Sequence, residues 1–143
     1  AVAVGFALAV VHPSAGNLGG GGFMVIRLAD GTINTIDFRE KAPSSSSVNM
    51  FLDDSLNIIP GLSLNTSLAS GVPGTVAGLS LAHNNYGELN WYDLIKPSIK
   101  LAKHGFELDK TNFIYLNSLK YQTILVHKTG LIHLYLANYN ILL

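Results

Sequence analysis

Gly19-Gly20-Gly21-Gly22 is the feature that most constrains how this chain can fold. Four successive glycines bring no side chain to a core and lose more backbone entropy on folding than other residues, while admitting positive φ and close approach of neighbouring backbone. The flanking segments suggest what packs there. Before the glycines, Ala1 to Val11 is apolar on every face and free of charge, which predicts a helix lying buried between other layers and ended by Pro13. After them, Phe23 to Leu28 reads as a buried strand. Asp30-Gly31 is then a two-residue hairpin signal ahead of a second strand, Thr32 to Phe38.

From Lys41 to about Val72 the chain is rich in serine, asparagine and proline, with a short apolar island at Met50-Phe51-Leu52. A connection of that length is more often functional, or packed on another part of the molecule, than idle. Pro73 fits the first turn of a helix running through Val76, Leu79, Leu81 and Ala82 and stopping at Gly87. A third helix fits Trp91 to His104, with Asn90 as N-cap, Gly105 past its end, and Pro97 kinking it or splitting off its first turn. Phe106 to Leu108 reads as a short strand. Residues 121–143 change character: they carry one lysine and no acidic group, and follow no single period. They read either as a terminal strand or helix or as a tail foreign to the rest, such as a frameshift produces. The expected division is therefore 1–120 and an atypical tail, 121–143.

Composition narrows the function classes. Nine Lys and Arg balance nine Asp and Glu for a formal net charge of zero, leaving no basic excess to bind nucleic acid. The 143 residues suit about one domain, and at 48% hydrophobic and 13% charged they are too apolar for disorder and poor in surface charge for a free-standing domain. With an uncapped apolar start at Ala1, the chain reads as a fragment. The absence of cysteine excludes disulfides, thiolate nucleophiles and Cys-ligated zinc. Ala1 to Val11 is shorter than the roughly 20 residues of a spanning helix, and no basic segment precedes it, so a buried helix is preferred to a signal peptide. Thr129 to Leu143 is also too short, so no membrane span is expected.

Most candidate motifs fail a chemical test. The glycine run lacks the Lys-Ser/Thr of a phosphate-binding loop and lies in the order helix, glycines, strand, the reverse of a dinucleotide site. Gly78-Leu79-Ser80-Leu81-Ala82 lacks the second glycine of a serine-hydrolase elbow and falls inside a predicted helix, so Ser80 is structural. His12, His83, His104, His127 and His133 show no metal-binding spacing, and no metal or cofactor is expected. Asp53-Asp54 reads as a solvated turn, and Asn65-Thr66-Ser67 is a glycosylation sequon relevant only in a eukaryotic secretory context. Asp37-Phe38-Arg39-Glu40 is different. It sets an arginine between two acids where a strand opens into the long loop, a rigid place for a planar fork that captures carboxylates. On the residues alone, an internal salt bridge of Arg39 with Asp37 or Glu40 is preferred to ligand capture.

A resemblance alters that balance. Residues 1–43 closely resemble the large-subunit region of gamma-glutamyltransferases, also called glutathione hydrolases, in the apolar helix, the His12-Pro13-x-x-Gly16-x-x-Gly19-Gly20-Gly21-Gly22 turn and the Asp37-Phe38-Arg39-Glu40 strand end. The resemblance continues through Met50-Phe51-Leu52-Asp53, Ala69 to Gly78, Lys96-Pro97 and Leu101 to Phe106, covering about residues 1–114. It implies an α+β fold, part of the four-layer αββα sandwich of N-terminal-nucleophile hydrolases, made as a precursor that cleaves itself into two subunits. In that family a threonine at the new N-terminus of the small subunit attacks the γ-glutamyl amide, with its own α-amino group as base. An oxyanion hole stabilises the intermediate, and the acyl group passes to water or an amino acid.

By the same resemblance, Arg39 holds the α-carboxylate of the γ-glutamyl group. Thr75, Thr111, Thr123 and Thr129 do not sit in the family's processing motif, so no catalytic residue is assigned, and the chain alone should neither mature nor turn over substrate. The implied partners are glutathione, other γ-glutamyl compounds and the small subunit of the same precursor; the implied location is periplasmic or secreted. The alternatives are a related acylase or poly-γ-glutamate-cleaving enzyme, or an inactive remnant or small binding protein.

Overall fold

The structure is a computed structural model that describes residues 1–12, 15–108, 110, 111 and 114. It is α+β, and divides into one unit made of residues 1–18 and the chain from Leu79 onward, and a second made of Gly19–Gly78. The atypical segment 121–143 lies outside the described residues.

In the first unit, α1 (Val2–Val11) packs on α4 (Trp91–His104). Phe6 is buried and meets the Trp91 ring edge-on, with centroids 5.5 Å apart and planes at 87°, an arrangement favoured by the ring quadrupoles. Gly5 lets the Leu79 methyls approach; a Cβ there would lie 3.0 Å from them. The helix is not covered on every face as its composition suggests: Val4 and Leu8 are exposed, because Leu79 and α4 cover only part of its circumference. The helix ends at Val11, where the His12 N–H donates to the Leu8 carbonyl at 2.9 Å.

Helix α3 (Thr75–Tyr86) starts in the second unit and continues into the first, ending where the Gly87 N–H donates to the His83 carbonyl. Pro73 falls two residues short of it rather than in its first turn, because the backbone at Gly74 and Thr75 is held by the carbonyl of Gly20. In α4 the Asn90 side chain accepts the Tyr92 N–H at 2.9 Å, satisfying one of the orphan donors of the first turn. Gly105 closes the helix at φ 79°. Pro97 does not split α4: it forfeits a single bond, to the Asp93 carbonyl, within an otherwise continuous helix. The strand expected at Phe106 to Leu108 does not form: these residues take no regular secondary structure.

In the second unit, β1 (Phe23–Arg27) and β2 (Ile33–Asp37) pair antiparallel, with Phe23 opposite Asp37 and Arg27 opposite Ile33. The connection is three residues, not the two that Asp30-Gly31 suggests. Leu28 N–H donates to the Thr32 carbonyl, Gly31 N–H donates to the Leu28 carbonyl, and Gly31 takes φ 89°. That is a turn followed by a left-handed residue, the three-residue hairpin loop. Asp30 Oδ1 accepts the Thr32 N–H at 2.8 Å and favours it over the tighter turn. One face of the hairpin, carrying Met24, Ile26 and Ile36, is inward; Phe23, Val25 and Ile33 on the other are exposed, so β1 is not buried on both faces. The long loop contains α2 (Leu62–Asn65), a turn of 3-10 helix (Ser67–Ala69), and backbone bridges Leu52 to Ile58 and Lys41 to Val72.

Candidate functional site

The glycine run builds the end of the hairpin. Phe38 N–H donates to the Gly22 carbonyl at 2.9 Å and Gly22 N–H returns a bond to the Phe38 carbonyl at 3.3 Å, carrying the pairing one step past the strands. The Gly20 carbonyl accepts both the Gly74 N–H (2.9 Å) and the Thr75 N–H (3.0 Å), tying the start of α3 to the same run. Phe38 then fills the space that the glycines leave. A Cβ on Gly74 would collide with the Phe38 carbonyl, and one on Gly78 with the Phe38 Cβ and ring. Gly21 and Gly22 are likewise closed by the backbone of residues 38–40 and by the Phe38 ring, and neither takes the left-handed φ. The run serves close packing, as a glycine run without a phosphate motif should.

Arg39 follows this anchor. Lys41, two residues on, pairs with Val72 through bonds of 3.2 and 2.7 Å, so Arg39 and Glu40 span a gap between two backbone clamps. Asp37 Oδ1 accepts the Arg39 N–H at 3.0 Å, fixing the turn out of β2. The internal ion pair is present: Arg39 Nε lies 3.2 Å from Glu40 Oε2, with the Arg39 side chain 62% exposed and that of Glu40 34%. At that exposure the pair contributes about 0 to 1 kcal/mol. The Asp37 carboxylate is used on the backbone instead. A neighbour unanticipated from the sequence is Phe23, whose ring centroid lies 5.9 Å from the Arg39 guanidinium carbon. Phe23 pairs with Asp37, so Arg39 is its diagonal neighbour on one face of the ladder.

The other candidates are dispersed. Ser80 lies within α3, His12 ends α1, and His104 is the exposed last residue of α4. His83 shares a hydrogen bond of 2.7 Å with the Leu89 carbonyl and lies 5.2 Å from the Trp91 ring. His127 and His133 lie outside the described residues, as do Thr123 and Thr129. Asp53 forms the expected turn: its Oδ1 accepts the Ser55 and Asn57 N–H groups at 2.9 Å, and the bond from Asn57 holds its carboxyl below the ordinary range. The sequon Asn65-Thr66-Ser67 is exposed at the end of α2, with Thr66 Oγ1 donating to the Leu62 carbonyl at 2.7 Å. Thr75 opens α3 and Thr111 is exposed. No group of three metal-ligating side chains occurs among the described residues, nor does a helix there reach membrane-spanning length and apolarity.

Comparison with known proteins identifies the family of this chain. The gamma-glutamyltranspeptidase family model matches residues 1–142, and the chain belongs to that family. It is 57% identical over 106 residues to the glutathione hydrolase proenzyme of Escherichia coli, covering 74% of this chain and 18% of that protein. It is 56% identical over 110 residues to the glutathione hydrolase proenzyme of a Pseudomonas species, covering 77% of this chain and 19% of that one. The crystal structure of Helicobacter pylori gamma-glutamyltranspeptidase superposes with a TM-score of 0.77 at 52% identity, over 82% of this chain and 34% of the solved chain. The chain thus spans about a fifth of the length of the curated relatives it matches.

Proposed function

We propose that this chain supplies the carboxylate-binding part of a gamma-glutamyltransferase that acts on glutathione and other γ-glutamyl amides. The observation that carries the reading is the placement of Arg39, a two-thirds exposed guanidinium held between the Phe38 and Lys41 backbone clamps at the end of a strand. Its ion pair to Glu40 uses Nε, one edge of a group with five N–H donors, so the planar fork remains a carboxylate receptor of the kind that favours bidentate geometry. The names of its relatives support the substrate class.

On this reading the chain is part of an αββα sandwich of the N-terminal-nucleophile type, completed by a small subunit from the same precursor and located in the periplasm or outside the cell. The nucleophile is the small subunit's N-terminal threonine, which attacks the γ-glutamyl carbonyl while its own amino group takes the hydroxyl proton. Arg39 performs no bond-making step. It fixes the distal end of the γ-glutamyl group, so that the amide carbon is presented at reacting distance.

The test is Arg39→Ala in the full-length precursor. Loss of a charge-assisted contact at a partly exposed site raises KM for glutathione about ten-fold, with kcat changed less. An unchanged KM in a matured enzyme would rule out Arg39 as the carboxylate contact.

A further inference from the structure

The hairpin places an aromatic ring beside the one arginine that the proposed function uses, and this was not foreseen in the sequence. We infer that Phe23 is a positioning residue for Arg39, its ring holding the guanidinium in the orientation in which the fork receives an α-carboxylate. The inference rests on the reading of Arg39 as the carboxylate contact.

Three observations carry it. Phe23 opens β1 and pairs with Asp37, the residue whose carboxylate accepts the Arg39 N–H, so ring and arginine backbone are held by one local ladder. The guanidinium carbon lies 5.9 Å from the ring centroid, within the range at which the negative face of an aromatic attracts a cation. Glu40 holds the same side chain by Nε at 3.2 Å, so two contacts act on the guanidinium. A long side chain with several rotatable bonds loses entropy when a ligand immobilises it, and a contact that narrows its rotamers beforehand reduces that loss. Phe23 is also two-thirds exposed within this chain, at 68%, so its ring is not committed to the core that the chain itself forms. Its ring is available to act on Arg39.

The test uses the matured full-length enzyme, with Arg39 observed by nuclear magnetic resonance and glutathione binding read from KM. In the unaltered protein the Arg39 Hδ protons carry an upfield ring-current shift, which Phe23→Leu abolishes and Phe23→Tyr retains. Cross-strand contacts between Met24 and Ile36 report that the hairpin is intact in each. Glutathione binding weakens about three-fold in Phe23→Leu and is restored in Phe23→Tyr. Arg39→Ala separates the two claims. If it weakens binding while Phe23→Leu leaves both the affinity and the Arg39 shift unchanged, the positioning role fails and the proposed function stands. If glutathione does not bind, or binds Arg39→Ala as well as the unaltered enzyme, both fail. Should Phe23→Leu disorder the hairpin, Phe23→Trp decides. The indole face is the stronger cation acceptor and tightens binding, whereas equal or weaker binding with the hairpin intact overturns the inference.

Discussion

Gly78→Ala sets two effects of known sign against each other. Gly78 lies in α3, where replacing glycine by alanine ordinarily stabilises by about 1 kcal/mol through backbone entropy. Here the new methyl would overlap the Cβ, Cγ and Cδ1 of Phe38. These are root atoms, not the tip of a flexible chain, so a rotamer change cannot clear them all. The Phe38 backbone is itself pinned by its bonds to Gly22, so relief requires the strand end to shift. Overpacking of this kind costs about 1 to 3 kcal/mol and the immovable neighbour puts it at the upper end, leaving a net loss of about 2 kcal/mol. Urea unfolding with unchanged m reads that loss directly. In a Phe38→Ala background two of the three overlapping atoms are gone, and Gly78→Ala costs less, so the pair is non-additive. Gly78→Ala at or above the stability of the unaltered chain would refute the claim that Phe38 is seated on this glycine.

The remaining predictions concern single polar groups. Ser98 Oγ is buried with no hydrogen-bond partner among the described residues, so Ser98→Ala stabilises by about 1 kcal/mol in thermal or urea unfolding; destabilisation would mean that the hydroxyl is satisfied in solution. The Asp30 carboxyl is held below its ordinary range chiefly by the Thr32 backbone N–H. A depressed folded value means that the stabilisation is present above the unfolded pKa and lost as pH falls through the folded one, so the hairpin turn weakens below about pH 4. The Thr32 amide resonance should follow that titration, and Asp30→Asn should remove it.

Much of the fold was legible because local rules agree with it. Asn90 and Gly105 mark the ends of α4 by a side-chain cap and a left-handed residue, and both features operate as such. The hairpin was legible in existence but not in register. A two-residue turn at Asp30-Gly31 would set Phe23 opposite Phe38, whereas the three-residue loop sets it opposite Asp37 and so aligns it diagonally with Arg39. A one-residue difference in a period of two reverses the faces, and for that reason the Phe23 contact could not be read from spacing. The alternation of Val25 and Ile33 with inward residues was hidden because both hairpin faces are apolar in composition. Arg39 itself was legible as a group at a rigid strand end. Its two backbone clamps were not, since Val72 lies far along the chain from Lys41.

The most direct test of the account is a cycle between Arg39 and the α-carboxylate that it is proposed to hold. In the full-length precursor, kcat/KM is measured for glutathione and for its analogue lacking the α-carboxylate, with the unaltered residue and with Arg39→Ala. Removing the carboxylate is expected to cost at least about ten-fold with Arg39 present and little with alanine in its place. Equal penalties in the two backgrounds would show that Arg39 and the carboxylate do not meet.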